Sequence, residues 1–227
     1  MREAILTPET RAVFFDAVGT LIQPEPPAVE VYHAVAAEHG IDISPGTVAQ
    51  RFRVAFELEE RRDAACGWAV SEEHERNRWS RIVGCVFQEH PTDKLLAHLW
   101  IHFGRADAWR MTEGADEVLR KLGSVTLGLG SNFDGRLHLV LDGLRGPATF
   151  LRRVISSEVG WRKPSPKFFE AIVRSAGCEP RQIVFVGDRR DNDYDAASAA
   201  GLRGVLIDTG PQAMPGVRRI RRLSDLL

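Results

Sequence analysis

Five side chains, each placed at or just after an apolar run or a turn, could together do chemistry on a charged ester. Asp16 closes the run Ala12-Val13-Phe14-Phe15 and is followed by Ala17-Val18-Gly19-Thr20-Leu21. Ser131-Asn132 closes a second run, Val125 to Gly130, and Lys163-Pro164 lies beyond a third, Val154-Ile155-Ser156. Gly187-Asp188 closes a fourth, Ile183 to Val186, with Asp191 and Asp193 just beyond. An aspartate can attack phosphorus and form an acyl phosphate. Two carboxylates at close range repel, and a hard divalent cation resolves that; Mg²⁺ suits one or two carboxylates with water and phosphate oxygens. A lysine neutralises charge on nucleophile and phosphoryl group, and a serine hydroxyl with nearby backbone N–H groups can bind phosphoryl oxygens. Gly19 lets the chain turn tightly after the candidate nucleophile.

The elements that would position these groups follow from pattern. The runs are near-continuous rather than alternating, as in parallel strands buried on both faces; a fifth is Val205-Leu206-Ile207-Asp208. Helical patterns lie between the later ones. Leu137, Val140, Leu141 and Leu144 recur at helical spacing after Asp134. Ser165-Pro166 makes a helix start, and Ala196 to Ala200 runs into Gly201, a C-terminal cap. From about residue 113 strands and helices alternate, which predicts an α/β fold with a Rossmann-like, doubly wound parallel sheet. In such sheets ligands sit outside the carboxyl ends of the strands, where all five side chains fall. Between Gln23 and about Arg105 no strand is predicted. Val29–His39, Thr47–Asp63, Ser71–Phe87 and Thr92–Phe103 read as amphipathic helices punctuated by Gly40, Pro45, Gly67 and Pro91. The expected division is a catalytic core of residues 1–23 and 106–227, with an inserted all-helical domain over 24–105.

Four segments in this order carry a resemblance: Asp16-Ala-Val-Gly-Thr-Leu21, Ser131-Asn132, Lys163-Pro164 and Gly187-Asp188-Arg-Arg-Asp-Asn-Asp193. The chain resembles the haloacid dehalogenase superfamily, and it does so continuously through Ser157-Glu-Val-Gly160 and Ala199-Ala-Gly-Leu202. The 24–105 block falls where that family carries a helical cap. The resemblance implies a hydrolase in which Asp16 is the nucleophile. Ser131 and Lys163 would grip the phosphoryl group, beside Gly19, Thr20 and Asn132. Mg²⁺ would be held by Asp16, the backbone carbonyl of Val18 and Asp188, with Asp193 supporting it directly or through water. Asp16-Ala-Val-Gly-Thr with Ser131-Asn132-Phe133-Asp134 resembles the rhythmically-expressed-gene-like branch.

Val18 departs from the family's phosphatases, which usually carry a second aspartate there to protonate the leaving group and then activate water. Loss of a positioned general acid/base typically costs about 10²–10⁴-fold. Three readings stay open: a phosphatase of low or narrow activity, a 2-haloacid dehalogenase, or a quiet scaffold that binds a phosphorylated ligand or a protein. Dehalogenases resembling the second carry Asp-Ala-Tyr-Gly-Thr, need no proton for a halide, and lack the first acid of the fourth segment. Asp188 is retained here, which favours a cation and a small phosphorylated substrate.

Bland readings stand beside these. Asn192 and Asp193 could cap the following helix, and Arg189 could pair with Asp191 rather than meet substrate. His98 and His102 share a helix face at i, i+4 with no third ligand in view. His33, soon after the Asp16 loop, is a candidate borrowed acid, and Trp161 reads as packing.

Composition narrows the classes. Thirty basic and 31 acidic residues give a formal charge of −1, with no excess to attract nucleic acid. The Arg218, Arg219, Arg221, Arg222 cluster reads as solvated surface. Cys66, Cys85 and Cys178 lack metal spacing and read as free thiols. No apolar stretch reaches the roughly 18 residues of a membrane span, and Met1–Thr10 lacks an apolar signal core. A cytoplasmic monomer or homodimer is expected.

Overall fold

The computed structural model describes residues 5–88, 90, 92–144, 151–212 and 214–227. The predicted break at Pro91 and the first four residues lie outside these.

Among the described residues a six-stranded parallel sheet forms the centre. Its strands are β1 (Ala12–Phe15), β4 (Thr126–Ser131), β5 (Arg152–Ile155), β6 (Ile183–Gly187), β7 (Arg203–Ile207) and β8 (Arg219–Ile220), in the order β5-β4-β1-β6-β7-β8. Period-two alternation splits the core. Val13 and Phe15 turn to one face, with Val184, Val186 and Leu129. Ala12 and Phe14 turn to the other, with Ile183, Phe185 and Phe168. Both faces are dry, so the strands read as unbroken apolar runs.

Helices cover the sheet: α5 (Ala115–Lys121), α6 (Arg136–Gly143), α7 (Ser156–Val159), α8 (Pro166–Ala176) and α9 (Ala196–Ala199). Ser165 and Pro166 start α8 as expected, although Ser165 makes no side-chain capping bond. Gly201 follows α9 with φ +81°, a conformation open to glycine at little cost.

The inserted block holds α1 (Ala28–Glu38), α2 (Pro45–Ala65), α3 (Glu72–Phe87) and α4 (Asp93–Phe103). Ser44 caps α2 and Pro45 occupies its first turn, so Pro45 begins a helix rather than merely separating two, and α2 is longer than predicted. Val31, Tyr32, Val83, Phe87, Leu95 and Leu99 give the block its own core. The chain leaves the sheet through β2 (Ile22–Pro24) and returns through β3 (Trp109–Met111), which pair antiparallel as Ile22↔Met111 and Pro24↔Trp109. Phe103 packs against both this helical core and one face of the sheet.

Several short elements escaped prediction, β2 and α7 among them. β3 and β8 are too short, at three and two residues, to show a period. A π-helical turn over Arg190–Asp195 precedes α9. Arg219, read as solvated, instead bonds Asp208 at 3.0 Å and the Gly210 carbonyl at 3.1 Å.

Gly128 is a stringent packing position. A Cβ there would lie 2.2 Å from the Phe14 ring, which is fully buried. Gly128→Ala should therefore lose about 1–3 kcal/mol. Urea denaturation checks this, and an unchanged midpoint would contradict the packing.

Candidate active site

Sheet register brings the strand ends together. Phe15 pairs with Leu129 on one side and Val186 on the other, and the Asp16 N–H donates to the Val186 carbonyl at 2.8 Å. Asp16 thus emerges between Ser131 and Gly187-Asp188. Ser131 is buried at the end of β4.

Lys163 reaches this point from the loop after α7. Its Nζ donates to Asp16 Oδ1 at 2.6 Å and to Asp193 Oδ1 at 2.7 Å. Its backbone is clamped by Asn132: the Lys163 N–H donates to Asn132 Oδ1 at 2.7 Å, and Asn132 Nδ2 donates to the Lys163 carbonyl at 3.0 Å. The Asn132 carboxamide therefore holds the loop, where the sequence suggested substrate contact.

Asp193 uses both carboxylate oxygens, one on Lys163 and the other accepting from the Arg189 N–H at 2.9 Å. Gly187 makes room for it: a Cβ there would lie 2.3 Å from the Asp193 carboxyl carbon. Gly19 does the same for Asp188. At φ +91° it turns the chain, and a Cβ would lie 2.6 Å from Asp188 Oδ2. The Gly19 N–H donates back to the Ile22 carbonyl at 2.9 Å, so its part is shape rather than ligand donation. Thr20 is buried, and its Oγ1 meets no hydrogen-bond partner among the described residues.

Oxygens of Asp16, Asp188 and Asp193 lie within 4.8 Å of one another, the one such acid, His or Cys cluster among the described residues. Hard oxygen donors, crowded and only partly neutralised by one ammonium, fit a small divalent cation. Asp188 opens to solvent and its carboxylate forms no side-chain ion pair among the described residues, so it keeps ligating capacity. Its carboxyl is held above the usual range by desolvation first and the Asp193 charge next.

Other candidates separate from this site. His33 Nδ1 lies 2.9 Å from the Ile43 carbonyl, inside the helical block. His98 lies 3.7 Å from Glu38, and His102 Nε2 has no partner among the described residues; the pair gathers no third ligand. Arg189 pairs with Asp191 at 3.0 Å, the bland alternative. Trp161 bridges to Ala69 and carries Lys167 over its ring at 3.7 Å. Val18 is 37% exposed, and its side chain offers no polar atom to a leaving group.

Sequence reading missed Asn132 as the loop's anchor, Gly187 as the seat of Asp193, and Arg162. The Arg162 side chain is 3% exposed and meets acids of α2 and α3. Gly187 carried a signal, as a small residue beside an acid. Arg162 carried none.

Burial lifts the Asp16 carboxyl to about 7; the Lys163 charge opposes this, and the Asp193 and Asp188 charges add to it. Between its ordinary 3.8 and about 7 the folded protein holds a proton here that the unfolded chain has released. This group's contribution to stability therefore weakens as pH rises through that window. In metal-free protein, the melting-temperature difference between Asp16→Asn and wild type should grow in the variant's favour across it. A difference that stays constant or shrinks would contradict a crowded, buried carboxyl.

Comparison with known proteins agrees with this geometry. The family model for haloacid dehalogenase-like hydrolases matches residues 10–201. Haloacid dehalogenase-like hydrolase domain-containing protein 3 of Homo sapiens is 29% identical over 219 residues, 93% of this chain and 86% of that protein. Glyceraldehyde 3-phosphate phosphatase of Methanopyrus kandleri is 38% identical over 91 residues, 40% of this chain and 37% of that protein. The crystal structure of a HAD phosphatase from Thermococcus onnurineus superposes with a TM-score of 0.65 at 23% identity, covering 96% of each chain. With its sheet, inserted helices and four segments all accounted for, the chain belongs to the haloacid dehalogenase-like hydrolases.

Proposed function

We propose that this hydrolase acts on phosphate monoesters or other phosphoryl donors with good leaving groups, through an aspartyl phosphate at Asp16. The observation that carries the reading is the buried Asp16–Lys163–Asp193 chain beside Asp188. It pairs a nucleophile with a fixed cation and keeps the acid that a dehalogenase would dispense with. The glyceraldehyde 3-phosphate phosphatase relative supports phosphate over halide, across the 91 residues it shares.

An Asp16 oxygen would attack phosphorus while the P–O bond to the leaving group breaks, its electron pair leaving with the ester oxygen. Water would then attack the acyl phosphate and release inorganic phosphate. The Lys163 ammonium, held at 2.6 Å from Asp16, steadies the nucleophile and offsets negative charge as it accumulates. Asp193 holds Lys163 in place, and Ser131 stands at the adjacent strand end to receive a phosphoryl oxygen, with Thr20 buried nearby in the Asp16 loop. Mg²⁺, held by Asp16, Asp188 and the Val18 carbonyl, would supply charge neutralisation at the phosphoryl oxygens. Asp193, engaged on both oxygens, supports it only through water. In this reading 1–23 and 106–227 form the catalytic core, and 24–105 the cap that excludes water and selects a small phosphorylated substrate.

Val18 sets the range. With no acid at that position, an ester oxygen must depart as an anion, so turnover should fall steeply as the leaving group becomes more basic. Aryl phosphates should be hydrolysed and alkyl phosphates scarcely at all. Val18→Asp should raise turnover of alkyl phosphates by about 10²-fold or more, since that is the scale of a positioned general acid. Asp16→Asn should abolish turnover while leaving the fold intact. Steady-state phosphate release across a series of phosphate esters, with and without Mg²⁺, measures all of this. Turnover that survives Asp16→Asn, or halide release from 2-haloacids without Mg²⁺, would refute the reading.

Aligned charges also predict a metal effect separable from turnover. Asp188→Asn should remove most of the Mg²⁺-induced rise in melting temperature, because the accessible carboxylate of the trio is gone. An undiminished rise would place the cation elsewhere.

A further inference from the structure

We infer that Arg162 is a positioning residue through which docking of the helical block sets the place of Lys163. This rests on the reading of Lys163 as the cation of the phosphoryl-transfer site.

Arg162 directly precedes Lys163, yet its side chain turns away from Asp16 and into the cap. There Nη1 meets Glu75 of α3. Nη2 lies 3.4 Å from Glu60, and Nε 3.3 Å from Asp63, both of α2. Arg78 completes the cluster, bonding Asp63 at 2.9 Å and Glu60 at 2.9 Å, and His74 adds a contact to Asp63 at 2.8 Å. Asp63, Glu75, Arg78 and Arg162 are all almost fully buried. Buried charges hold only while their partners stay in place, because each left alone would be desolvated without compensation.

The backbone repeats the connection. The Arg162 N–H donates to the Trp68 carbonyl at 2.9 Å, and the Val70 N–H donates to the Gly160 carbonyl at 3.1 Å. Ala69 and Trp161 form an antiparallel bridge between them. Trp68 sits at φ +66°, a region bulky residues rarely adopt. Its N–H donates to the Asp63 carbonyl at 2.8 Å, so the turn after α2 delivers its carbonyl to Arg162. Gly160 and Trp161 also touch the core, through the Ser156 carbonyl and the sheet's apolar cluster, but the buried Arg162 side chain meets only acids of the cap among its ion-pair partners in the described residues, while the Lys163 backbone is held by Asn132 of the core. The Lys163 loop is thus held from both sides.

A merely structural arginine and a positioning one differ in what they move. Arg162→Met keeps length and removes the charge. For an aryl phosphate with Mg²⁺ it should lower kcat by about tenfold to a hundredfold, the effect of roughly ångström displacement of a catalytic group. KM should change far less. Amide exchange over Gly160–Lys163 and Trp68–Val70 should quicken, and Arg162→Lys should restore part of kcat. Arg81→Met, which breaks a separate pair between α3 and Glu59 of α2 and touches no partner of Arg162, should lower the melting temperature while its folded enzyme keeps kcat near wild type.

Wild-type kcat and unchanged exchange in Arg162→Met would overturn the inference, as would an equal loss of kcat in Arg81→Met. Should Arg162→Met fail to fold, Glu75→Gln carries the same expectations at smaller amplitude. If wild type hydrolyses no phosphate ester, the phosphatase reading fails. Amide exchange then still decides this inference: faster exchange at Gly160–Lys163 supports the cap as the loop's second anchor, and unchanged exchange removes it.

Discussion

Three carboxylates share one buried ammonium. Asp16 and Asp193 both accept from Lys163, and Asp188 stands beside them, within a cluster no wider than 4.8 Å. That imbalance governs much of the surrounding design. The acids repel and must be held from outside: Asp193 by a backbone N–H from Arg189, Asp16 by its strand. The glycines at 19 and 187 are needed because the carboxyls of Asp188 and Asp193 occupy the space a Cβ would take. Lys163 keeps its charge in a buried place because two acids face it; burial alone would lower its pKa, and the acids raise it instead. A fold that stores excess negative charge is unstable to proton or cation uptake, and a hydrolase of phosphate esters can use the second.

The cap is tied to the core at the same two loops that present the candidate residues Ser131 and Lys163. Glu72 of α3 accepts from the Gly135 N–H at 2.8 Å, just beyond the Ser131-Asn132 segment, and also meets Ser157. Arg136 stacks on Trp100 at 3.4 Å and donates to its carbonyl at 2.7 Å. Arg162 makes the third tie, to α2 and α3. Opening the cap would hydrate buried charges and loosen the Ser131 and Lys163 loops together. On the proposed reading, closure of the cap and assembly of the site are one event.

Much of this was legible in the sequence for a local reason. Each catalytic candidate sits at the end of an apolar run, so strand prediction and site prediction were the same inference. The helical block was equally plain, because a change from continuous to helical periodicity is visible in short windows. Long-range partners were not. Arg162 and Glu75 are 87 positions apart, and nothing in either neighbourhood marks a pair. Asn132 was read as a substrate contact because its neighbour Ser131 is one candidate; its reciprocal bonds to the Lys163 backbone exist only once β4 and the loop after α7 are folded together. β3 and β8 carry too few residues to establish a period, and pairing alone defines them. His33 was chosen for closeness in sequence to Asp16, whereas α1 carries it into the interior of the helical block.

Val18 is the point where chemistry and fold part company. Residue 18 has a carbonyl whatever its side chain, so a valine leaves the proposed metal ligand in place, and the tight turn depends on Gly19 rather than on residue 18. On the proposed mechanism two things are lost, a proton for the leaving group in the first step and a base for the attacking water in the second. The second loss falls on every ester alike, and only the first depends on the leaving group. For a leaving group already stable as an anion, protonation contributes little to the transition state, and the Asp16–Lys163 pair retains most of its value. For an alkoxide the missing acid is nearly the whole difference between reaction and none. On that mechanism a valine makes a slower catalyst that is also more selective, and selection by leaving group would add to whatever selection the cap imposes by shape.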